Sequence, residues 1–218
     1  DKKQKSSIFF LTEDLVFPPI HTANPDGLLA VGGDLRPERL LLAYQNGIFP
    51  WFNEGSLILW WSPDPRMVLF PGDIKISKSM RKVFRDGQFK MTENVCFAKV
   101  LDHCASVPRE GQDGTWITKE MKEAYLELHK KGYAKSYEVW ENNDLVGGLY
   151  GVDLGHVFCG ESMFSLTSNA SKYAFIKLAK ELKEKDYALI DCQLHNDHLE
   201  SLGAKEIPRS EFENLLKG

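Results

Sequence analysis

Residues 134–140 (AKSYEVW), 144–152 (DLVGGLYGV) and 156–164 (HVFCGESMF) are three strand-like segments that follow one another directly. Aromatic and β-branched side chains recur in each, as is typical of strands. The turn-forming residues Asn142-Asn143-Asp144 separate the first two segments, and Asp153-Leu154-Gly155 separate the next two. Both turns are suited to hairpins. The three segments therefore predict an antiparallel meander.

A long helix and a further strand are predicted after the meander, over residues 169–185 and 187–193 (YALIDCQ). Before the meander, Thr118 is a suitable N-cap for a helix that ends at Gly132. This order of helix, antiparallel meander, long helix and strand predicts an α+β layer fold with a mixed, largely antiparallel sheet. It resembles the core of the acetyltransferase-like (GNAT) fold, a likeness that does not by itself determine a function.

The first third of the chain differs in character and is rich in turn-forming and aromatic residues. A helix is predicted over residues 35–46, with Pro37 in its first turn and Gly47 at its end. Prolines then interrupt residues 60–66 (WWSPDPR), which argues against a regular strand interior. Because the composition shifts near residues 65–70, we expect a small N-terminal domain over residues 1–68 and a GNAT-like catalytic domain over residues 69–218.

The composition is that of an ordinary globular protein, with 43% hydrophobic and 27% charged residues among 218. No segment approaches the roughly 18 apolar residues of a membrane span, and the polar first five residues do not indicate a signal peptide. The four cysteines are scattered without a Cys-x-x-Cys pair, which argues against a zinc site and against a disulfide framework. We therefore expect a cytoplasmic protein without a metal.

Three polar residues in predicted strands are candidates for chemistry. Asp191 and Gln193 are two positions apart, so their side chains project to one face while Ile190 and Cys192 project to the other. A carboxylate and an amide so placed could orient a nucleophile, or could simply cap the end of the strand. Glu161 lies in an otherwise apolar strand, where a carboxylate needs a partner. That partner could be a cationic substrate or an internal salt bridge.

One predicted helix carries a basic stripe. Ser77 is its N-cap, and four cationic residues follow at spacings that place them on one face: Lys78, Arg81, Lys82 and Arg85. The whole chain has a net charge of −4, whereas nonspecific nucleic-acid binders are usually basic. Contact with RNA must therefore be made by a local patch. The stripe is a candidate for phosphate contacts, and the alternative is a solvated helix face.

Ordered motifs run along nearly the whole chain: residues 26–35 (DGLLAVGGDL), 47–52 (GIFPWF), 60–66 (WWSPDPR), 115–118 (TWIT), 145–152 (LVGGLYGV), 160–164 (GESMF), 169–172 (NASK), 191–193 (DCQ) and 201–204 (SLGA). Together they resemble the leucyl/phenylalanyl-tRNA protein transferase family. Each motif alone is short, but so many matches in the same order do not recur by chance.

The resemblance implies an aminoacyltransferase that moves Leu or Phe, and less readily Met, from aminoacyl-tRNA to a protein that begins with Arg or Lys. The product would be marked for N-end-rule degradation. Because the ester to tRNA is already activated, the reaction needs no ATP, metal or coenzyme A, and we expect no cofactor. The expected partners are Leu-tRNA, Phe-tRNA and the acceptor proteins, with no membrane contact and a monomeric enzyme.

The resemblance also implies roles for single residues. Asp191 and Gln193 become the catalytic pair, and Glu161 joins them near the reacting ester. Other residues are expected around the charged tRNA end, namely Trp51, Trp116 and Tyr125, or around the Leu or Phe side chain, namely Leu149, Phe158 and Met163. Whether Asp191 accepts a proton, relays it through Gln193 or only orients Gln193 is left open, as are the individual phosphate contacts of the basic stripe.

Two other functions are compatible with this fold. A coenzyme A-dependent N-acetyltransferase carries a glycine-rich pyrophosphate loop ahead of a helix, but residues 165–169 (SLTSN) contain no glycine. A noncatalytic tRNA-binding protein has no need for Asp191, Gln193 and Glu161 together with the full set of motifs. Both alternatives therefore rank below the aminoacyltransferase.

Overall fold

The computed structural model describes residues 8–107 and 117–218. Four short strands form the smaller of two sheets: β1 (Phe9–Leu11), β2 (Leu28–Gly32), β3 (Phe49–Pro50) and β4 (Leu59–Trp61). Their order is β1-β2-β4-β3, with β1 parallel to β2 and the other pairs antiparallel. Helix α1 (Pro37–Gln45) connects β2 to β3. Pro37 is the first residue of this helix, a position whose N–H would have no partner within the helix.

Seven strands form the larger sheet: β5 (Arg66–Leu69), β6 (Lys90–Glu93), β7 (Ala134–Glu141), β8 (Asp144–Asp153), β9 (Val157–Ser165), β10 (Leu189–Gln193) and β11 (Lys205–Ile207). Their order is β11-β5-β10-β9-β8-β7-β6, and all neighbours are antiparallel except β9 and β10. Asn142 and Asn143 turn β7 into β8 with φ angles of 49° and 71°, as a two-residue hairpin favours. The predicted meander and the α+β class with a mixed, largely antiparallel sheet are confirmed.

Six further α-helices are present in the described residues: α2 (Lys78–Asp86), α3 (Phe97–Ala105), α4 (Lys119–Lys130), α5 (Ala170–Glu184), α6 (Asp197–Ser201) and α7 (Arg209–Lys217). Two short 3-10 helices lie at Ile20–Thr22 and Pro71–Asp73. Ser77 and Thr118 cap α2 and α4 as predicted, because their hydroxyl oxygens accept hydrogen bonds from the N–H groups of Met80 and Met121. The sequence of α4, β7 to β9, α5 and β10 confirms the predicted order of elements. Across residues 8–107 and 117–218, no helix has both the length and the apolar character that a membrane crossing requires.

The larger sheet separates two apolar layers. On one face it packs against the smaller sheet and against α1, α3, α4 and α7, and Tyr150 of β8 belongs to this layer. On the other face it is covered by α2 and α5, and Leu149 belongs to this second layer. Successive β8 residues thus serve opposite layers. The N-terminal third of the chain packs through the first layer.

Several elements lie where the sequence pattern predicts none, namely the strands of the smaller sheet, β5, β6, β11 and α3. None of these strands is longer than five residues, and such short runs show little alternation of apolar and polar residues. The expected domain boundary between residues 68 and 69 falls inside β5, whose Val68 pairs with Asp191 of β10. The division into two domains stays a prediction.

Candidate functional site

A cavity of about 580 Å³ lies between α5 and the strands β8, β9 and β10. A volume of this size is usual for small-molecule sites. Its apolar lining includes Leu149, Phe158, Met163, Phe175, Leu178 and Ile190, and its polar lining includes Glu161, Asp191 and Gln193. The structure thus brings the three predicted catalytic residues and the three predicted side-chain pocket residues to one cavity. The α5 residues and Ile190 were not predicted, because their spacing is that of ordinary core residues.

A bulge near the end of β10 sets the directions of Asp191 and Gln193. Asp191 lies opposite Val68 and Gln193 lies opposite Met67, so the intervening Cys192 is an extra residue in β10. Gln193 has a φ of 66°, a value that residues other than glycine rarely adopt. Its N–H donates to Asp191 Oδ1 at 2.9 Å. This hydrogen bond holds the unusual backbone conformation in place.

Asp191 is also held by a buried arginine. Arg66 Nε donates to Asp191 Oδ1 at 2.9 Å and Arg66 Nη2 donates to Oδ2 at 2.7 Å. The two side chains are only 1% and 3% exposed. With the hydrogen bond from Gln193 N, Asp191 accepts three hydrogen bonds from groups of the protein. Paired geometry of this kind compensates for the cost of burying the two charges.

Glu161 is the second buried carboxylate of the site, with 9% of its surface exposed. Its Oε1 accepts a hydrogen bond from Tyr44 OH at 2.6 Å and another from Gln193 Nε2 at 2.9 Å. The Tyr44 and Tyr125 hydroxyl oxygens are 2.5 Å apart. Because Tyr44 donates to Glu161, Tyr125 donates to Tyr44. A chain of hydrogen bonds therefore runs from α4 through α1 to β9 and β10.

Raised pKa values keep the hydroxyl groups of Tyr44 and Tyr125 neutral, so that they act as hydrogen-bond donors beside Glu161. Burial raises the pKa of Tyr44 well above its usual value, and the neighbouring Glu161 raises it further. The same two causes raise the pKa of Tyr125. Burial, followed by the charge of Asp191, raises the pKa of the Cys192 thiol. This cysteine at the cavity is therefore a poor nucleophile.

Two family profiles match the chain in succession. The one described as "Leucyl/phenylalanyl-tRNA protein transferase" matches residues 68–217, and the one described as its N-terminal domain matches residues 33–64. The chain belongs to this family.

Relatives that bear the transferase name support this assignment along nearly the whole chain. The one from Flavobacterium johnsoniae is 62% identical, over 96% of this chain and 99% of its own length. The one from Flavobacterium psychrophilum is 60% identical, over 95% of this chain and 99% of its own length. Among solved structures, a GCN5-related N-acetyltransferase from Kribbella flavida is 11% identical, covers 76% of this chain and 59% of its own length, and has a TM-score of 0.38. By its family and these two transferase relatives, the chain is an enzyme of the aminoacyltransferase class.

The other residues predicted for the transferase site have different surroundings. The Tyr125 hydroxyl is hydrogen-bonded to Tyr44, which in turn donates to Glu161, and Tyr125 does not line the cavity. Trp51 packs against Trp61, with ring centroids 6.0 Å apart, and is not among the residues that line the cavity. Trp116 lies outside the described residues. Trp51, Trp116 and Tyr125 thus keep their predicted roles as predictions.

Two residues that hydrogen-bond to the predicted catalytic carboxylates, Tyr44 and Arg66, were not predicted from the sequence. Tyr44 follows the helical spacing of α1, so its pattern indicates a core residue. Arg66 ends the motif of residues 60–66, and this position was the only signal that could have drawn attention to it.

In the described part of the chain, no three His, Cys, Asp or Glu side chains are grouped so that they could hold a metal ion.

The predicted basic stripe lies on the exposed side of α2. All four of its residues are exposed: Lys78, Arg81, Lys82 and Arg85. Asp86 pairs with Lys82 at 3.0 Å and lies 4.0 Å from Arg85, so part of the positive charge is neutralised. The apolar side of α2 packs on α5, where Phe84 stacks on Tyr173 with ring centroids 4.6 Å apart. Because α5 also lines the cavity, one helix connects the basic stripe to the cavity.

Proposed function

We propose that the enzyme transfers Leu or Phe, and less readily Met, from aminoacyl-tRNA to the N-terminal α-amine of proteins that begin with Arg or Lys. The observation that carries the proposal is an apolar cavity of about 580 Å³ bordered by Glu161 and Gln193. The side chain of the aminoacyl group enters the cavity, and its ester faces the two polar residues. Proteins modified in this way enter N-end-rule degradation.

The apolar lining accounts for the choice of side chain. Leu149 and Phe158 form buried walls, and the partly exposed Met163 adds an adaptable thioether. Leu, Met and Phe all carry a CH₂ group at Cβ, which passes a narrow entrance. Ile and Val bring a second substituent at Cβ to the same entrance. A hydrophobic pocket distinguishes side chains that differ by one methylene by about 10- to 200-fold.

The reaction forms one C–N bond and breaks one C–O bond. An α-amine has an ordinary pKa of about 8, so an appreciable neutral fraction is present near neutral pH. The neutral nitrogen attacks the ester carbonyl carbon, and the carbonyl oxygen becomes an oxyanion. Collapse of this intermediate releases the tRNA ribose oxygen, which takes up the proton that the nitrogen loses. Positioning of the amine and stabilisation of the oxyanion therefore supply most of the rate.

Gln193 and Glu161 are the residues that contact the reacting groups in this proposal. An amide NH₂ has two donor hydrogens. One hydrogen of the Gln193 amide is directed at Glu161, and we assign the other to the carbonyl oxygen that becomes the oxyanion. The Glu161 carboxylate stabilises the positive charge that develops on the nitrogen as it attacks. Asp191, whose oxygens are engaged by Arg66 and by the Gln193 N–H, orients Gln193 and does not accept the proton.

The tRNA is held at two places. Trp51 and Trp116 stack near the terminal adenosine. Tyr125 contributes to this end of the site through the hydrogen bond between its hydroxyl and that of Tyr44. The stripe on α2 contacts phosphates farther along the tRNA, through Lys78, Arg81, Lys82 and Arg85. The exposure of these side chains leaves them accessible to the tRNA, which supports this assignment. Contacts of this kind position a nucleic acid without reading its sequence.

A transfer assay tests the function. Purified enzyme is mixed with radiolabelled Leu-tRNA and one of three matched proteins that begin with Arg, Lys or Ala. ATP is omitted, a chelator is added, and parallel reactions contain acetyl-coenzyme A. We expect label on the proteins that begin with Arg and Lys and none on the third, with no effect of acetyl-coenzyme A.

Three results would argue against the proposal. Equal transfer from Leu-tRNA and Ile-tRNA would contradict the selection by the cavity. Acetylation without aminoacyl transfer would favour an N-acetyltransferase, and tRNA binding without any transfer would favour a noncatalytic protein. The expectations of a monomer and of a cytoplasmic location are checked separately, by light scattering and by cell fractionation.

A further inference from the structure

The Arg66 guanidinium is held in its plane and in its rotation. Two of its nitrogen atoms donate to the two oxygens of Asp191, and Nη1 donates to Gly47 O at 2.9 Å. The rings of Phe49 and Phe212 lie against it, with centroids 5.0 and 4.5 Å from Cζ. Cation–π contacts add to the attraction in a buried setting. Three parts of the chain thus hold this one side chain, namely β3, α7 and Gly47, the second residue after α1.

The restraint on Arg66 is transmitted to the cavity in two steps. Asp191 Oδ1 accepts from Arg66 Nε and also from the Gln193 N–H, both at 2.9 Å. The second of these hydrogen bonds spans the bulge and holds Gln193 at its positive φ. The Gln193 side chain then donates to Glu161 Oε1. A rotation of the Asp191 carboxylate would therefore move the amide at the cavity.

We propose that Arg66 is a positioning residue for aminoacyl transfer, which acts through Asp191 on the orientation of Gln193. This inference rests on the proposed function, because it assumes that Gln193 contacts the reacting ester. Arg66 itself does not line the cavity. Its effect is therefore on the rate of transfer once both substrates are bound, and not on the binding of tRNA.

A purely stabilising role does not account for the arrangement. Buried ion pairs are often replaced by apolar residues without loss of stability, and the β5 residues Met67, Val68 and Leu69 are all apolar and buried. The one charge on β5 faces the residue next to the bulge. A residue held in a rarely populated backbone conformation is a frequent sign of function. The pair is thus placed where orientation matters.

Arg66→Lys is the informative substitution, because it keeps the charge and removes the planar fork. An ammonium group cannot donate in one plane to both Asp191 oxygens and also to Gly47 O. We expect kcat for Leu transfer to fall by about 100-fold, the usual effect of a displacement of about 1 Å at a reacting group. The KM for Leu-tRNA should stay within about twofold of the wild-type value, since uniform binding is unchanged.

A double-mutant cycle with Asp191→Asn tests whether Arg66 acts through Asp191. If it does, Arg66→Lys should lower kcat by less than about threefold when Asp191 has already been replaced. The proposal would be overturned if the fold-losses in kcat of Arg66→Lys and Asp191→Asn multiplied in the double variant. It would also be overturned if Arg66→Lys alone left kcat unchanged. A rise in KM with constant kcat would overturn it as well, since that is the result expected of a binding residue.

Arg39→Lys is the matched control. Arg39 of α1 is 0% exposed, and its Nε lies 3.2 Å from Oδ1 of Asp34, which precedes the helix. Neither residue lines the cavity. We expect Arg39→Lys to lower the unfolding temperature and to leave kcat unchanged. If Arg66→Lys does not fold, Arg66→Ala is assayed with added guanidinium ion at non-denaturing concentration, with urea as the comparison. Recovery of kcat with guanidinium alone supports positioning, and no recovery in a folded variant contradicts it.

The same experiment separates this inference from the proposed function. Absence of Leu transfer by the wild-type enzyme would refute the proposed function. Normal transfer by the wild-type enzyme together with normal transfer by Arg66→Lys would refute only the role of Arg66.

Discussion

Replacing Glu161 with Gln removes one buried negative charge and preserves the shape of the side chain. Glu161 Oε1 accepts hydrogen bonds from Tyr44 and Gln193, and the amide oxygen of Glu161→Gln can accept both. What disappears is the charge that, in our proposal, stabilises the positive charge on the attacking nitrogen. The substitution therefore separates a role in catalysis from a role in holding the fold.

The expected magnitudes follow from these contacts. Hydrogen bonds to a charged group contribute about 1.5–3 kcal/mol each, and neutral ones about 0.5–1.5 kcal/mol. Two such bonds would thus lose roughly 2–3 kcal/mol. Relief from burying a charge offsets part of this loss, so stability should fall by about 1–2 kcal/mol. The rate should fall by about 100-fold or more, as for the loss of one group that stabilises charge in the transition state, which corresponds to about 2.7 kcal/mol in the barrier.

Glu138→Gln is a matched control for this measurement. Glu138 is 0% exposed on β7 and accepts hydrogen bonds from Thr92 Oγ1, Ser136 Oγ and Val95 N, but it does not line the cavity. Single-turnover transfer of labelled Leu gives the rate, and denaturant unfolding gives the stability. We expect Glu138→Gln to lose stability and keep its rate. Equal rate losses in the two variants, or a full rate in Glu161→Gln, would refute a catalytic role for Glu161.

Three further predictions concern the tRNA, the cavity and pH. The double substitution of Lys78 and Lys82 by Ala should weaken the binding of every charged tRNA alike. It should also flatten the slope of the logarithm of the binding constant against log salt by roughly 0.7–0.9 per lost phosphate contact. Normal filter binding at all salt concentrations would show that the stripe is only a solvated face. Leu149→Phe narrows the cavity and should lower kcat/KM for Phe-tRNA about tenfold more than for Leu-tRNA, whereas an unchanged ratio would place the side chain elsewhere. Burial works against the charge of Asp153, yet the hydrogen bond from Lys135 and two others outweigh burial and lower the pKa of Asp153. Its stabilising contribution is therefore complete above the unfolded-state pKa of about 3.9 and is lost as pH falls through the lower folded-state value. In urea titrations from about pH 6 to about pH 3, the wild-type protein should lose more stability than Asp153→Asn, and parallel curves would contradict this.

Local patterns near the site could be predicted because their causes lie within a few residues. The hydroxyl of Thr118 caps α4 three residues before Met121, and two asparagines turn β7 into β8. Alternation along β10 placed Ile190 and Cys192 in the layer beneath α5. Caps, turns and alternation each depend on the backbone geometry of one element. These are the features that a single sequence carries most directly.

The partners of the two carboxylates could not be predicted, because they come from distant parts of the chain. Arg66 and Asp191 are 125 residues apart, and Tyr44 and Glu161 are 117 residues apart. The bulge in β10 depends on how β5 pairs with it, and β5 itself is only four residues long. The sequence therefore predicted which polar residues meet at the cavity, but not the donors that hold them.

Those donors bear on how the two parts of the chain share the site. Tyr44 and Arg66, together with the carbonyl group of Gly47 that holds Arg66, all precede the expected domain boundary at residue 68. Both buried carboxylates, on β9 and β10, take hydrogen bonds from this earlier segment. A buried carboxylate that loses such a partner is strongly destabilised, so these strands cannot keep their present arrangement without it. The N-terminal third thus does more than contribute to tRNA binding, because it supplies the hydrogen bonds that hold Glu161 and Asp191 at the cavity.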